Sequence, residues 1–416
     1  MQNNSLSKIL IILMILTGIA GIVLWSASYF IGIIFIAAAL VLYYFYKRSA
    51  EGGESAGAWA KGFIKTLYIP VFGIIAAIIL GGIIMIITGN DPVVAYKALF
   101  YGGFVRSWHI SILNAVPLIF TGLSVAFAFQ AGLFNIGAEG QFYIGSMMAT
   151  WLGLRLGMPP VFSIFIIFIV SGLAAAAYNI VPAALKVKTG AHEVITTMML
   201  AHVARHLSPI FIRGNGGDPA SSTHAYVTDD ILENNFLPIF KDFLPNANYR
   251  LHVGILIAIA VAVLVYYILY YTRIGFEVRA VGQNPNAARA QGISIGKNIM
   301  IALLFAGFLS GLAGVNQVVG LDHKMFQNLS AGYGWNGISV AILASNNPIG
   351  VIFTSILWGA LDAGGQYMTR TTQIPNSIVE IIKGIILFLI VARYIYTYFG
   401  NRMKKRRIDR KIKEAV

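Results

Sequence analysis

Long apolar runs separated by short polar connections fill this chain, and most runs match the ~20 residues a helix needs to cross a bilayer core. Ile9 to Trp25 and Tyr29 to Tyr46 come first, joined by the small turn Ser26-Ala27-Ser28, and read as a helical hairpin. Lys47 to Lys65 then turns polar and glycine-rich. Further spans are predicted over Thr66–Thr88, Ile110–Gln130, Ala131–Leu154, Val161–Leu185, Glu193–Ile212, Leu251–Tyr270, Ile299–Val319, Pro348–Tyr367 and Ile378–Tyr396. Two stretches depart from the pattern. Asp91-Pro92 caps a shorter amphipathic segment, Val93 to Phe104, that belongs along the outer surface. Ala331 to Ser345 is short and broken by Gly332, Gly334 and Gly337, so it either spans or is re-entrant.

The polar connections orient these elements. Lys47, Arg48, Lys61 and Lys65 mark one connection as cytoplasmic, Lys186 and Lys188 another, and Arg273, Arg279, Arg289 and Lys297 against Glu277 a third. The tail from Asn401 carries eight basic residues against two acids and belongs on the same side. Arg213 to Arg250 is acidic on balance and fits the outside. An even number of crossings must therefore follow the third loop, and counting the broken segment gives twelve in all. The expected fold is all-α, a polytopic integral membrane protein of about eleven or twelve transmembrane helices, with two related halves in its core. Its expected parts are an accessory hairpin (1–48), a cytoplasmic linker (49–65), the core (66–400) and the basic tail (401–416).

Composition agrees: 57% of 416 residues are hydrophobic and 11% charged, where soluble chains carry about a quarter. The net charge of +14 sits in loops between spans, which fits positive-inside topology and anionic headgroups and not nucleic acid. With no cysteine, disulfides, thiolate nucleophiles and Cys-ligated metals are excluded. No small-residue cleavage site follows the first apolar run before the second, so the N-terminus reads as a retained anchor. No Walker A pattern occurs, so ATP hydrolysis must come from another chain.

Polar residues at membrane depth are the candidates for chemistry. Asn135, Glu139 and Gln141 lie on a glycine-interrupted segment, Gly132 to Gly145, and would be costly facing lipid. They fit a cavity lining or a helix end near the interface. Tyr333, Trp335, Asn336 and Ser339 lie on the second broken segment, where the rings suit either a nucleobase face or interface anchoring. Paired broken segments in two halves point to a transport path. Glu193 follows Lys188 at a helix start, which suits an acid there. Asp362 and Glu380 fit proton relays of an ion-coupled transporter, or ion pairs and helix ends. His202 and His206 stand at i, i+4, but no Glu of an H-E-x-x-H pattern and no third ligand accompany them, so no metal site is expected. No nucleophile triad is present, and the chain reads as no enzyme.

In the third cytoplasmic loop, Asn284 caps a helix with Pro285 at its first position and Gly292 beyond its stop, predicting two turns over Pro285–Gln291. By spacing alone this is an ordinary capped loop helix or a docking element. The loop pattern Gly275, Arg279, Ala280, Gly282, Asn284, Ala287, Ala288, Gly292, Ile293, followed by Ser310-Gly-Leu-Ala-Gly314, resembles the coupling loop of bacterial ABC importer permeases. The similarity is to the branched-chain amino acid, ribose and nucleoside branch. Phe134-Asn-Ile-Gly-Ala-Glu-Gly-Gln141 and Thr189 to Leu200 resemble the same family, and Gly332 to Ala341 resembles its nucleoside-type members. Two departures stand out, Ala201 where those members carry an asparagine and Asn336 where an acid often stands.

The resemblance implies the permease subunit of an importer for nucleosides or related small polar solutes, in the bacterial plasma membrane. Sugar or branched-chain amino acid import and ion-coupled secondary transport are the alternatives. It implies a solute path along Asn135, Glu139, Gln141, Tyr333, Trp335, Asn336 and Ser339. Coupling to the ATPase would fall to Arg279, Asn284, Pro285, Ala287, Ala288, Arg289 and Gly292. Expected partners are an ATPase subunit carrying ATP and Mg, a second permease subunit, an extracytoplasmic solute-binding protein and the bilayer, with no cofactor in this chain.

Overall fold

The computed structural model describes residues 73–216, 227–240 and 250–392. The N-terminal hairpin, the linker and the basic tail, with the boundaries expected at 48, 65 and 400, lie outside the described residues. In chain order the helices are α1 (Gly73–Ile87), α2 (Pro92–Phe100), α3 (Trp108–Gln130), α4 (Ala138–Gly153), α5 (Pro160–Tyr178), α6 (Ile180–Thr189) and α7 (Glu193–Arg213). They continue as α8 (Gly254–Tyr271), α9 (Arg273–Gln283), α10 (Pro285–Ala290), α11 (Ile295–Gln317), α12 (Tyr333–Leu343), α13 (Pro348–Thr372) and α14 (Ser377–Val391). No strand longer than an isolated bridge occurs among the described residues. The fold is all-α, and five of its helical runs are long and apolar enough to span: α3, α5 with α6, α8, α11 with the π-turn after it, and α13.

The chain divides into two compact units, one from the parts before residue 109 and after 362, the other from 109–362. In the first, Asp91 caps α2 as expected, its Oδ1 accepting from Val93 N at 2.8 Å. The predicted surface segment ends in a π-turn, Tyr101–Arg106, and Tyr101 meets Tyr367 edge-on at 5.9 Å between ring centroids. Glu380, half exposed in the first turn of α14, pairs with Lys383 at 2.8 Å, so the ion-pair reading of that acid holds.

In the second unit α11 is the hub, buried almost continuously from Ala306 to Gln317 against α4 and α5. Small residues make this possible: a Cβ placed on Gly145 would stand 2.3 Å from the Gly311 carbonyl, so the α4 and α11 backbones touch. Close backbone approach replaces the hydrophobic effect as the driving force where lipid is the solvent. The outer faces of α5 and α8 carry exposed Val, Ile, Leu and Phe, the surface expected against lipid.

Two predicted spans are shorter than read. The stretch expected to be helical from Ala131 begins its helix only at Ala138, because Gly132 turns left-handed (φ 73°) and Leu133 to Asn135 run irregular. The second broken segment forms an 11-residue helix, about 16 Å long and half a bilayer core. The run from Val161 bends at Asn179, whose side chain bonds the Leu303 carbonyl of α11.

Candidate functional site

The two broken segments meet end to end in the second unit. Ser310 of α11 bonds the Ala138 carbonyl, and Ser310 lies about 16 Å past Ile299, the middle of a ~30 Å core. The first helix of the pair therefore starts at mid-depth. It runs toward the loop expected outside, where Leu232 donates to the Gly153 carbonyl at its far end (3.0 Å). α12 starts at the same level and runs the opposite way, toward the last residue of α3, where Gln130 donates to the Asn346 carbonyl just past α12 (3.2 Å). The two helices, about 24 Å and 16 Å long, thus leave the junction in opposite senses, each preceded by irregular chain. Irregular backbone at this depth is tolerated only where protein or a water-filled space surrounds it.

Glu139 closes the junction. Its carboxylate accepts from Ser330 Oγ and from Gly334 N at 2.9 Å, so it caps the N-terminus of α12 while standing in the first turn of α4. Two helix N-termini carry partial positive charge, and an anion between them is stabilised by both. The backbones are in contact here: a Cβ on Gly334 would fall 2.3 Å from Glu139 N and Cα. Approach to α12 goes through left-handed His323, Asn328 and Ala331, a strained path for non-glycine residues. The outer loop straps this segment in place, Thr228 N donating to the Met325 carbonyl and Ile231 N to that of His323, both at 2.8 Å.

The other expected path residues divide. Asn135 and Gln141 are buried and pair their amides reciprocally, at 3.0 and 3.1 Å; Asn135 also takes Gly137 N at 3.1 Å and donates to Ser124 at 3.2 Å. They hold the irregular turn together and touch no residue of α12 through these bonds. Tyr333 donates its hydroxyl to Asn114 Oδ1 (3.3 Å), and its ring lies 6.4 Å from Phe142. Asn336 accepts from the buried Trp358 indole at 3.4 Å, and Ser339 is buried. Trp335 is half-buried, with the His202 ring 6.3 Å away.

On the outer side of the junction lies a cavity of about 210 Å³, lined by Tyr143 of α4, by Arg205, His206 and Ser208 of α7, and by Gln327 and Asn328. His202 borders it too, so the i, i+4 histidines that spacing alone singled out face this space. No group of three or more metal-ligating side chains occurs among the described residues. Ser208, Gln327 and Asn328 are residues that the sequence did not mark, and Arg205 read only as a charge beside the two histidines.

At the cytoplasmic end the capped helix forms as the spacing predicts, one residue shorter. Asn284 Oδ1 accepts from Asn286 N and Ala287 N, each at 3.1 Å, with Pro285 first in the helix. Gly292 takes φ 78°, and Ile293 N closes onto the Ala288 carbonyl at 3.0 Å, the αL stop. Ala288 is buried, while Pro285, Ala287 and Arg289 face outward. Arg279 instead turns back: its Nε bonds the Leu269 carbonyl at 3.0 Å and its guanidinium lies over Tyr270, tying down the end of α8. Arg273 and Asn298 both donate to Glu277, and the Arg273 guanidinium first, then Asn298, hold its carboxyl below the usual range. Gly282, two residues before the cap, has its backbone against the irregular turn: a Cβ there would stand 2.1 Å from the Gln130 carbonyl. Glu193, at the start of α7, pairs with Lys186 at 2.8 Å.

Residues 109–391 match the family described as the permease component of the branched-chain amino acid transport system. The guanosine ABC transporter permease protein of Bacillus subtilis is 32% identical over 346 residues, 82% of this chain and 98% of that one. The nucleoside ABC transporter permease protein of Lactococcus lactis is 32% identical over 347 residues, 80% of this chain and 92% of its own. The glucose ABC transporter permease protein of Haloferax volcanii is 31% identical over 343 residues, 79% and 88%. No solved structure matches the chain. The chain belongs to this family of ABC transporter permeases and is a multi-pass subunit of the cell membrane.

Proposed function

We propose that this subunit imports nucleosides or closely related hydroxylated solutes, driven by a separate ATPase subunit that grips the α9–α10 loop. A second permease subunit completes the pore, and an extracytoplasmic binding protein delivers the solute. The relatives' printed solutes, guanosine, nucleosides and glucose, support the solute class. One observation supports the mechanism, the chain of contacts from the loop to both broken segments, backbone to backbone at Gly282 and through the Gln130 side chain to Asn346. Gly282 presses on Gln130 to Gly132, and Gln130 bonds Asn346 past the inner end of α12. A shift of α10 therefore moves the cytoplasmic ends of both segments together, while Glu139 holds their other ends at mid-depth. Opening inward parts α12 from its carboxylate cap. In this reading Asn284, Pro285, Ala287, Ala288, Arg289 and Gly292 make the docking helix and Arg279 its anchor. Tyr333, Trp335, Asn336 and Ser339 ride on the moving segment.

The test is the complex in proteoliposomes. Uptake of labelled nucleoside should require internal ATP and persist when the proton gradient is collapsed. Gly282→Ala should leave ATP hydrolysis running but cut uptake severely, since its Cβ has only backbone to displace. Uptake driven by a pH step without ATP, using Asp362, would overturn the energy source. Normal coupling in Gly282→Ala would overturn the link.

A further inference from the structure

We propose that the cavity beside Arg205 is a subsite for the hydroxylated sugar ring of the solute, entered from outside and blind to the base. This rests on the reading that the chain passes hydroxylated solutes. The observation that points to a ligand is Ser208. It is buried to 2% exposure, its Oγ has no hydrogen-bond partner, and it lines the cavity. A buried hydroxyl left unpaired costs about 1–3 kcal/mol, and a ligand that bonds it recovers that cost. The next residue, Pro209, has no N–H to give to the Arg205 carbonyl, which leaves a second helix group unbonded by its usual donor.

The rest of the lining sets the chemistry. Tyr143, Gln327 and Asn328 supply groups that donate and accept, the pattern that matches alcohol hydroxyls. Arg205 brings a positive charge, but its guanidinium already donates to Asn328 Oδ1 at 3.0 Å and feels the Glu139 carboxylate below it. An anion is therefore not needed to balance it, and the site favours a neutral ligand. Size limits how much of the ligand enters. At about 210 Å³ the cavity lies below the ~300 Å³ at which pockets begin to hold drug-sized molecules, so a sugar ring enters and a whole nucleoside does not. The position fits an early stop on the path. The cavity lies in the outer half of α7, directly above the Glu139 junction, where a solute waits until α12 moves.

Two measurements test this. In proteoliposomes holding the complete transporter, uridine and 2′,3′-dideoxyuridine are compared in wild type and Ser208→Ala. The binding protein is the same in both, so any change in the ratio belongs to this chain. Uridine uptake should fall about five- to tenfold, the loss of one hydrogen bond, with dideoxyuridine uptake unchanged. A parallel fall in both, or no fall, overturns the subsite. The second measurement needs no transport, so it stands even if the complex proves to carry no nucleoside. The natural chain has no cysteine, and Gln327→Cys places one at the exposed rim. Ribose should slow its reaction with a membrane-impermeant thiol reagent, and uracil should not. Equal protection by uracil, or stronger protection by ribose 5-phosphate, overturns the assignment.

Discussion

Removing the charge of Glu139 while keeping its shape tests the junction most directly. In Glu139→Gln one side-chain oxygen remains to accept, while the other position becomes an NH2 group. The remaining oxygen can accept from Gly334 N–H while the NH2 donates to Ser330, whose hydroxyl can turn to accept; both contacts survive, but neither is charge-assisted. A hydrogen bond to a charged acceptor is worth roughly 1.5–3 kcal/mol against about 1 kcal/mol for a neutral one, and two such bonds are weakened. The anion's interaction with the α12 N-terminus adds about 0.3–1 kcal/mol, or up to ~2 when partly buried. We expect a loss of about 2–4 kcal/mol, a fall in thermal midpoint of several degrees for a unit of this size. If the cap also holds the resting state shut, ATP hydrolysis without solute should rise while uptake per ATP falls. The assay is a thermal unfolding series on the purified complex beside coupled hydrolysis and uptake. Glu139→Gln with wild-type stability and wild-type coupling would refute the reasoning. Gly334→Ala is the steric counterpart and should be worse, because its Cβ meets Glu139 backbone at 2.3 Å.

A Cβ added at Gly292 meets no atom within 4 Å, so the main cost of Gly292→Val is the left-handed φ of 78°; copurification of the ATPase should weaken while the chain still inserts. Asn135→Cys should stay closed to water-soluble thiol reagents in the resting state, since Asn135 is fully buried, and labelling as fast as a surface cysteine would show the turn to be open. The outer loop should be acid-sensitive. Burial, with His323 nearby, pushes His252 down to about 4, below its unfolded value, so it folds neutral. A depressed histidine contributes stability fully above ~6.5 that is lost as pH falls toward 4, at most roughly 3 kcal/mol. The thermal midpoint of wild type should fall between pH 7 and 4, and that of His252→Gln, which lacks the titrating ring, should fall less. A wild-type profile flat over that window would refute the burial argument.

Helix type, membrane setting and the capped helix at Pro285 were legible in the chain because each depends on local information. A run of apolar residues commits a segment to the bilayer wherever it stands, and an Asn-Pro start with a Gly stop sets a two-turn helix whatever lies beside it. The glycine-interrupted segments around Gly137 and Gly334 were also visible as irregular. Only the tertiary structure decided what those irregular segments do. That Glu139 caps a helix almost two hundred residues later depends on α4, α11 and α12 reaching one depth together. The same holds for the cavity: Ser208 is one serine among many in sequence, and it lines a cavity because Tyr143 and the strained loop at Asn328 meet it there. Asn135 and Gln141 looked like path residues because polar groups in lipid must find partners. Sequence shows the need, and only packing shows that they satisfy it with each other.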